Sequence, residues 1–240
     1  MQLILCKDYR ELSCRAAEII LSLVKEKPNC ILGLATGSTP IGAYDLICKA
    51  HKDEGLDFSR VTTFNLDEYY PIEPSDPQSY HYFMHQHLFS HINIPQDSIH
   101  IPDGTTANPE ELGEAYDNAI LEAGGIDLQL LGIGRNGHIG FNEPSETLVG
   151  GTHLTDLTQD TVEANARFFA SASEVPTQAI SMGMASIMGA RSILLLISGA
   201  DKRAALRQLL DDSITTSCPA TLLKLHPNVT IICDEAAYGD

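Results

Sequence analysis

The chain has 240 residues, of which 43% are hydrophobic and 20% are charged, so it can bury a core of its own. It carries 15 Lys and Arg against 32 Asp and Glu, a formal net charge of −17 at pH 7. A field of that sign repels polyanions and anionic lipid. The composition therefore excludes a miniprotein and a disordered chain, and it argues against nucleic acid and membrane surfaces as partners.

The cysteines and the N-terminus indicate a cellular compartment. None of the six cysteines forms a C-x-x-C pair, and several, such as Cys30 and Cys233, stand in apolar runs. We therefore expect reduced cysteines in the core. The first residues lack a basic segment followed by a long apolar one, and no stretch of the chain is apolar enough to cross a membrane. These features predict a cytoplasmic protein.

Short runs rich in β-branched residues alternate with amphipathic stretches of helical length. Predicted strands cover residues 3–6, 30–35, 61–66, 126–133, 192–198 and 229–234. Predicted helices cover residues 9–26, 40–53, 78–91, 108–124, 177–189 and 200–212. Because parallel strands need long crossovers that are usually helical, this order predicts a three-layer αβα fold around an open, mostly parallel, Rossmann-like sheet. Because the sequence has no Pro/Gly/Ser-rich linker long enough to divide domains, residues 1–240 are expected to form a single domain.

The strand predicted at 30–35 is followed by a loop rich in hydroxyl groups, Thr36-Gly37-Ser38-Thr39-Pro40. The glycine permits a tight turn, Ser38 or Thr39 can cap the helix that follows, and Pro40 suits its first position. Hydroxyl and N–H groups of such a turn form a cradle for phosphate or carboxylate, although a simple helix cap explains the same residues. Without a following Gly-Lys-Ser/Thr, the loop does not predict a nucleoside triphosphate site.

Two acidic residues, Asp67 and Glu68, follow the strand predicted at 61–66. Adjacent side chains of an extended chain point to opposite faces, so at most one of them faces a site at this strand exit. A carboxylate that is partly removed from water has a raised pKa and is a stronger base toward a substrate proton. The alternative is a solvated acid in a turn, or a helix cap.

The strand at 126–133 leads into a glycine-rich loop with Asn136, His138 and Glu143. An imidazole can take and return a proton near neutral pH, and a nearby carboxylate can orient the ring and stabilise its charged form. The loop therefore predicts an acid/base relay, with a structural histidine as the alternative. Residues 132–137 also fit G-x-G-x-x-G, but glycine and proline interrupt the helix that this motif must open, which argues against a nicotinamide cofactor.

Two pairs of histidines are spaced four apart on a predicted helix, a spacing that can hold a metal. They are His81 with His85 and His87 with His91. No H-E-x-x-H motif and no third ligand accompany them, so core packing and surface positions are the preferred interpretation, and no metal site is predicted.

Arg167 and Lys202 stand out in a chain that is short of cations. Lys202 lies where a strand ends and a helix begins, and a cation there opposes the helix dipole unless an anion sits between them. Both residues are therefore candidates for anion binding, with ion pairs to local acids as the alternative.

Seven segments, in one order along nearly the whole chain, resemble the glucosamine-6-phosphate deaminase family. These segments are residues 34–40, 64–69, 79–84, 91–95, 132–144, 166–169 and 225–227. The resemblance implies conversion of glucosamine 6-phosphate and water to fructose 6-phosphate and ammonia. It also implies that the partner is this small phosphorylated amino sugar and that neither a metal nor an organic cofactor is needed.

The resemblance implies roles for particular residues. Asp67 would be the base that moves a proton from carbon 2 to carbon 1. His138 would open the pyranose ring, supported by Glu143 and the residue at 136. The phosphate would sit on the loop from Thr36 through Gly37 and Ser38 to Thr39, together with Arg167 and Lys202. Many family members have Asp at position 136, whereas Asn136 cannot carry charge, so here the relay would rest on Glu143.

Regulation and assembly are also expected to differ from those of the allosteric family members. His153 and Thr155 stand where those members carry basic residues, and those members extend further at the C-terminus. We therefore expect no activation by N-acetylglucosamine 6-phosphate and a monomer or small homo-oligomer. Residues 145–165 are a possible lid.

Two other functions stay open at this point. A hydrolase similar to 6-phosphogluconolactonase would share the fold and the phosphate loop, but Asp67-Glu68-Tyr69 and Asn142-Glu143-Pro144 follow the deaminase pattern. A non-catalytic sugar-phosphate sensor would use only the phosphate-binding residues.

Overall fold

A computed structural model of the protein describes residues 1–165 and 174–239, so Arg167 lies outside the described residues. The strands within this part of the chain are β1 (Gln2–Cys6), β2 (Ile31–Leu34), β3 (Thr62–Asn65), β4 (Asp67–Tyr70), β5 (Ile99–His100), β6 (Leu128–Leu131), β7 (His153–Asp156), β8 (Gln178–Ser181), β9 (Ile193–Ile197) and β10 (Val229–Asp234). The α-helices are α1 (Tyr9–Glu26), α2 (Ile41–Glu54), α3 (Tyr80–His87), α4 (Pro109–Glu122), α5 (Gln159–Asn165), α6 (Met184–Met188), α7 (Arg203–Leu210) and α8 (Glu235–Tyr238).

Seven strands form one parallel sheet in the order β1-β10-β9-β6-β2-β3-β5. Every residue of β2, β6 and β9 is buried, as expected of parallel strands that are covered by helices on both faces. Each fully buried Leu or Ile side chain contributes about 1.5–3 kcal/mol, so these strands form the stable centre of the molecule. The predicted three-layer αβα fold is confirmed.

The first helix illustrates how the sequence specifies a layer. Asp8 accepts a hydrogen bond from the Glu11 backbone N–H and so caps α1. Leu12, Ala16 and Ile20 recur at four-residue spacing and are buried against the sheet and its neighbouring helix. The predicted helix at 9–26 is therefore observed with the same bounds.

The order of the strands places a crevice at β2. From β2 the chain continues to β3 and then to β5, both on one side of β2. The next strands of this sheet, β6 and then β9, come after α4 and lie on the other side of β2. The crossovers on the two sides of β2 and β6 therefore diverge. Ligands of open α/β sheets bind in the crevice outside the carboxyl ends of strands at such a switch point.

The helix predicted at 177–189 is wrong. Residues 178–181 form β8, which pairs antiparallel with β4 and with β7 in a separate three-stranded sheet, and only α6 is helical. The physical reason lies in a tertiary contact. Residues 178–181 pair with two strands that are distant in sequence, and Gly183 stays extended, with φ and ψ of −81° and 177°. A Cβ at Gly183 would lie 2.2 Å from the Gly151 carbonyl oxygen, so its backbone packs directly on residues 150–151 and α6 begins only after it.

The expected capping of α2 by Ser38 or Thr39 is also wrong. The helix begins after Pro40 without a side-chain cap. Instead, the hydroxyl of Tyr9 accepts a hydrogen bond from the Gly42 N–H (2.9 Å) and donates one to the Ser38 carbonyl (3.1 Å). A residue from α1 therefore satisfies the first turn of α2, and the hydroxyls of the loop are not used as caps.

The expectation that the cysteines are reduced and buried in the core holds in part. None of the six cysteines, all of which are described, forms a disulfide, and four are buried while Cys14 and Cys48 are half-buried. No helix in the described part of the chain has the length and apolar character needed to cross a membrane. The single domain and the lid stay predictions; residues 145–165 contain a loop, β7 and α5.

Candidate functional site

A cavity of about 290 Å³ opens at the carboxyl ends of the parallel strands. Its walls come from the loops that follow β2, β3, β6 and β9, together with residues of α3 and α5. The predicted site residues that line it are Thr36, Gly37, Ser38, Thr39, Asp67, His138 and Lys202. Asn136 and Glu143 lie behind His138 and are bonded to it and to each other. Segments far apart in sequence therefore meet in one hollow.

Asp67 and Glu68 point to different parts of the molecule. Asp67 is the first residue of β4, opposite Ser181 of β8, and lines the cavity. Glu68 is turned toward α3, where its carboxylate accepts hydrogen bonds from the backbone N–H groups of Tyr80 and His81, both at 2.8 Å. As expected from the alternation of an extended chain, only one of the two acids faces the cavity.

The environment of Asp67 makes it a strong base. Its side chain is buried, and burial, followed by the nearby charge of Glu68, raises its pKa to about 8. Within residues 1–165 and 174–239 no hydrogen bond to this carboxylate offsets the effect. A carboxylate with a raised pKa in a cavity is a candidate general base.

Glycine at position 140 lets the His138 loop approach Asp67. Gly140 has a φ of +57°, and a Cβ there would lie 3.0 Å from the Ser181 hydroxyl and 3.8 Å from Asp67 Oδ2. The backbone also binds across this contact, because the Phe141 N–H donates to the Ser181 hydroxyl at 3.0 Å. The loop that carries the histidine is thus joined to the sheet that carries Asp67.

His138 lies on a tight turn that begins at Gly134. The Gly134 N–H donates to the His138 carbonyl (2.9 Å), and a Cβ at Gly134 would lie within 2.5 Å of the imidazole ring. Gly137 has a φ of +86°, and a Cβ there would meet the Cys218 sulfur at 2.4 Å. Glycines at both positions therefore let the ring fold over its own turn and face the cavity.

Glu143 is held by three donors. His138 Nδ1 lies 3.2 Å from its Oε2, Asn136 Nδ2 donates to the same oxygen at 2.7 Å, and the Thr161 hydroxyl donates to Oε1. Burial alone would raise the pKa of Glu143, but the hydrogen bond and charge of His138 and the bonds from Thr161 and Asn136 lower it to about 2. The carboxylate is therefore ionised and orients the imidazole, which leaves Nε2 as the ring nitrogen for proton exchange with a ligand.

Lys202 reaches the cavity from the loop after β9. That loop turns at Gly199, whose φ is +95°, and continues as a short 3₁₀ helix, Ala200–Lys202. Asp234 accepts hydrogen bonds from the Ser198 hydroxyl (2.5 Å) and the Gly199 N–H (3.1 Å) and so holds the turn in place. Lys202 Nζ lies 3.6 Å from the carboxylate of Asp201. The cation and the hydroxyls of Ser38 and Thr39 line the same hollow, which suits an anionic group.

Three residues that bring hydroxyl groups to the cavity were not among the predicted site residues. Tyr80 places its ring parallel to Phe141, with centroids 6.2 Å apart and planes 8° apart. Thr161 and Ser198 contribute hydroxyls. Tyr80 lies in the resembling segment 79–84, but no local pattern gives a role in the site to it, to Thr161 or to Ser198. Only the placement of α3, α5 and β9 around the crevice brings them to the site.

The two histidine pairs, His81 with His85 and His87 with His91, do not belong to a metal-binding cluster of the described residues. The rings of His81 and His85 are 4.7 Å apart and tilted against each other. In the part of the chain that the structure covers, no group of three or more His, Cys, Asp or Glu side chains is arranged to hold a metal ion.

Comparison with known proteins identifies the family of this chain. The family described as glucosamine-6-phosphate isomerases/6-phosphogluconolactonase matches residues 8–232. The chain belongs to this family. Its fold agrees as well, since the solved structure of a monomeric glucosamine-6-phosphate deaminase is 44% identical, covers 99% of this chain and 98% of that chain, and superimposes with a TM-score of 0.97.

Family members with assigned names are similar over almost their whole length. The glucosamine-6-phosphate deaminase of Thermoanaerobacter pseudethanolicus is 53% identical over 237 residues, which cover 99% of this chain and 94% of the relative. That of Halothermothrix orenii is 51% identical, with 99% and 98% coverage. The 6-phosphogluconolactonase of Leishmania guyanensis, at 20% identity and a TM-score of 0.74 over 98% of this chain and 97% of that chain, shares the fold.

Proposed function

We propose that this protein is a glucosamine-6-phosphate deaminase that converts glucosamine 6-phosphate and water to fructose 6-phosphate and ammonia. The observation that carries the proposal is the meeting of Asp67 and His138 in one cavity, with the pKa of Asp67 raised and that of Glu143, the partner of His138, lowered. The deaminase relatives at about half identity support the choice of substrate.

The phosphate is assigned to the loop Thr36–Thr39 and to Lys202. A dianion is well held by backbone N–H groups, hydroxyls and a cation, which supply charge-assisted hydrogen bonds. Arg167, outside the described residues, is assigned to the same phosphate on the family resemblance. This grip fixes one end of the sugar and leaves its reacting carbons to the other wall of the cavity.

Ring opening is assigned to His138. Nε2 moves a proton between the anomeric hydroxyl and the ring oxygen, while Glu143 holds Nδ1 and stabilises the charged imidazolium. Asn136 supports this arrangement through its bonds to Glu143 and to the His138 N–H. The product of this step is the open-chain aldehyde.

Isomerisation and loss of ammonia are assigned to Asp67. Its carboxylate takes the proton from carbon 2 and returns it to carbon 1, while the aldehyde oxygen gains a proton and the amine loses one. The open-chain amino aldehyde thereby becomes a hydroxymethyl group at carbon 1 beside an imine at carbon 2. Water then adds to that carbon and ammonia leaves, giving the ketose. The raised pKa of Asp67 makes its ionised carboxylate a stronger base toward the proton on carbon 2.

The finer expectations about assembly and regulation belong to the same proposal. The protein acts as a monomer or small homo-oligomer in the cytoplasm, and it is not activated by N-acetylglucosamine 6-phosphate. Support for a monomer comes from the similarity to a structure described as a monomeric deaminase. A sigmoidal rate curve that N-acetylglucosamine 6-phosphate makes hyperbolic would contradict the absence of activation.

The experiment measures ammonia and fructose 6-phosphate released by the purified protein from glucosamine 6-phosphate. Equal amounts of the two products are expected, and hydrolysis of 6-phosphogluconolactone without ammonia would point to the lactonase reaction instead. Lys202→Ala should raise KM about 10-fold with little change in kcat, because it removes a charged contact to the phosphate. The exposed Lys49→Ala is the control and should leave both constants unchanged. A protein that binds the sugar phosphate without turning it over would be a sensor.

A further inference from the structure

Helix α5 touches the turn that carries His138 at two consecutive residues. Asp160 binds Arg135, whose Nη2 lies 3.0 Å from the Asp160 carboxylate and 3.3 Å from its carbonyl oxygen. The next residue, Thr161, turns inward, and its side chain is 2% exposed. The contact of Asp160 with Arg135 is therefore an exposed ion pair between α5 and the turn. The contact of Thr161 is a buried hydrogen bond beside His138, at the edge of the cavity.

The buried contact reaches both members of the His138–Glu143 pair. The Thr161 hydroxyl donates to Glu143 Oε1, and its oxygen lies 3.5 Å from His138 Nδ1. Glu143 has two oxygens, and Asn136 and His138 use the other one. Because Thr161 binds Oε1, it fixes the rotation of the carboxyl group and leaves Oε2 aimed at the imidazole.

The local geometry makes Thr161 suited to this task. The Thr158 hydroxyl donates to the Thr161 hydroxyl at 3.2 Å, so the hydroxyl hydrogen of Thr161 is directed at the carboxylate and not at Thr158. The charged groups around Glu143 are His138 on its own loop, the Arg135–Asp160 pair between that loop and α5, and Asp67 across the cavity. Of the residues of α5 whose side chains are described, Thr161 is the one that bonds to Glu143.

We propose that Thr161 is a positioning residue for the His138–Glu143 pair: its hydroxyl locks the Glu143 carboxylate in the orientation that holds the imidazole for ring opening. The inference rests on the proposed function of this site and extends it to a residue of α5. Thr161 acts through Glu143 and is not itself a proton donor or acceptor in the reaction.

The test compares Thr161→Val, which keeps the shape and removes the hydroxyl, with Thr161→Ser, which keeps the hydroxyl. The valine variant should lose about 10- to 100-fold in kcat, the range expected for a hydrogen bond to a charged group, with KM unchanged. The serine variant should recover most of the rate. Thr152→Val is the matched control, because Thr152 makes an equivalent buried bond to Asp117 (2.6 Å) away from the cavity. It should lower thermal stability without changing kcat.

A measurement that does not depend on turnover accompanies the kinetics. In protein labelled with ¹⁵N-histidine, the Nδ1–H signal of His138, assigned by its absence in His138→Gln, should be protected from solvent exchange. This protection from exchange should be lost in Thr161→Val and restored in Thr161→Ser. Its loss supports the positioning role of Thr161 even if the wild-type protein releases no ammonia. Absence of ammonia release would count only against the proposed function. Wild-type kcat and an unchanged signal in Thr161→Val would overturn the inference. So would a rise in KM alone, which would mean that Thr161 contacts substrate directly.

Discussion

Asp67 and Glu143 are buried to nearly the same degree, 6% and 8% exposed, yet their pKa values shift in opposite directions, to about 8 and about 2. The difference lies in their donors. Glu143 receives hydrogen bonds from His138, Asn136 and Thr161, whereas the described residues offer Asp67 none. Burial raises the pKa of both carboxyl groups, and only at Glu143 do hydrogen bonds and the charge of His138 outweigh it.

The comparison separates two chemical tasks within one cavity. A carboxylate that is short of donors holds its negative charge at a cost in free energy, so it gains by taking a proton, as a base must. A carboxylate that is saturated with donors stays ionised and serves as a fixed partner for a histidine. The β4–β8 sheet and the loop 136–143 supply these two environments, and the Ser181 contact to Phe141 joins them.

Asp67→Asn should have the largest effect on the rate. Removal of a general base is expected to lower kcat about 10²- to 10⁴-fold, while substrate affinity stays nearly unchanged because the carboxylate is needed only for proton transfer. Initial rates of ammonia release and equilibrium binding of glucosamine 6-phosphate measure the two quantities. A loss of affinity with normal turnover would contradict the role of Asp67. The exposed Asp97→Asn is the control.

The same variant should be more stable than the wild type at high pH. The pKa of Asp67 in the folded protein, about 8, lies above its ordinary value of 3.8, so the folded state keeps a proton that the unfolded state has lost between these values. The free energy of unfolding of the wild type therefore falls as pH rises through this window. The advantage of Asp67→Asn should grow by at least about 1.4 kcal/mol, the equivalent of one pKa unit, between pH 5 and pH 9. Urea unfolding at both pH values measures it.

Glu143→Gln should have the opposite sign in stability and a smaller effect on the rate. The folded pKa of Glu143, about 2, lies below its ordinary 4.5, so its ionised form contributes stability that is present above pH 4.5 and lost as pH falls toward 2. The variant should be less stable than the wild type by about 1–3 kcal/mol at pH 7, and the gap should narrow below pH 4.5. We expect kcat to fall about 10- to 100-fold, because the imidazole loses its charged partner.

Exposed Glu122→Gln provides the control for this variant and should change neither quantity. Equal stability of Glu143→Gln and wild type at pH 7 would mean that the three donors do not stabilise the ionised carboxylate. The opposite pKa shifts of Asp67 and Glu143 would then not come from their donors.

How far the sequence predicts this site depends on the range of the contacts. The parallel sheet and the strand exits at Thr36, Asp67 and Gly134 are readable because each depends on a local pattern of apolar runs followed by glycine or polar residues. The second sheet cannot be predicted from a local pattern. Its strand β8 is only four residues long and pairs with β4, which lies more than a hundred residues earlier in the chain. Tyr9 beneath α2 and Thr161 beside Glu143 were missed for the same reason: their roles exist only once distant helices are packed.

Asn136→Asp gives the finest test of the comparison, because it changes one donor to Glu143 into an acceptor of nearly the same shape. The carboxylate would remove a 2.7 Å hydrogen bond and place a like charge beside Glu143, so the pKa of Glu143 should rise from its value of about 2. The acid limb of kcat/KM should move to higher pH, and kcat at neutral pH should change by less than about 10-fold, because His138 and Thr161 still bind Glu143.

The matched control is Asn108→Asp, since Asn108 also donates to a glutamate, Glu111 (3.2 Å), but on the exposed start of α4. It makes the same change of charge beside the same kind of partner, where water screens the repulsion. Its pH profile should match that of the wild type. An acid limb that does not move in Asn136→Asp would show that the donors at Glu143 are not what separates it from Asp67, and an equal shift in both variants would assign the effect to net charge and not to the site.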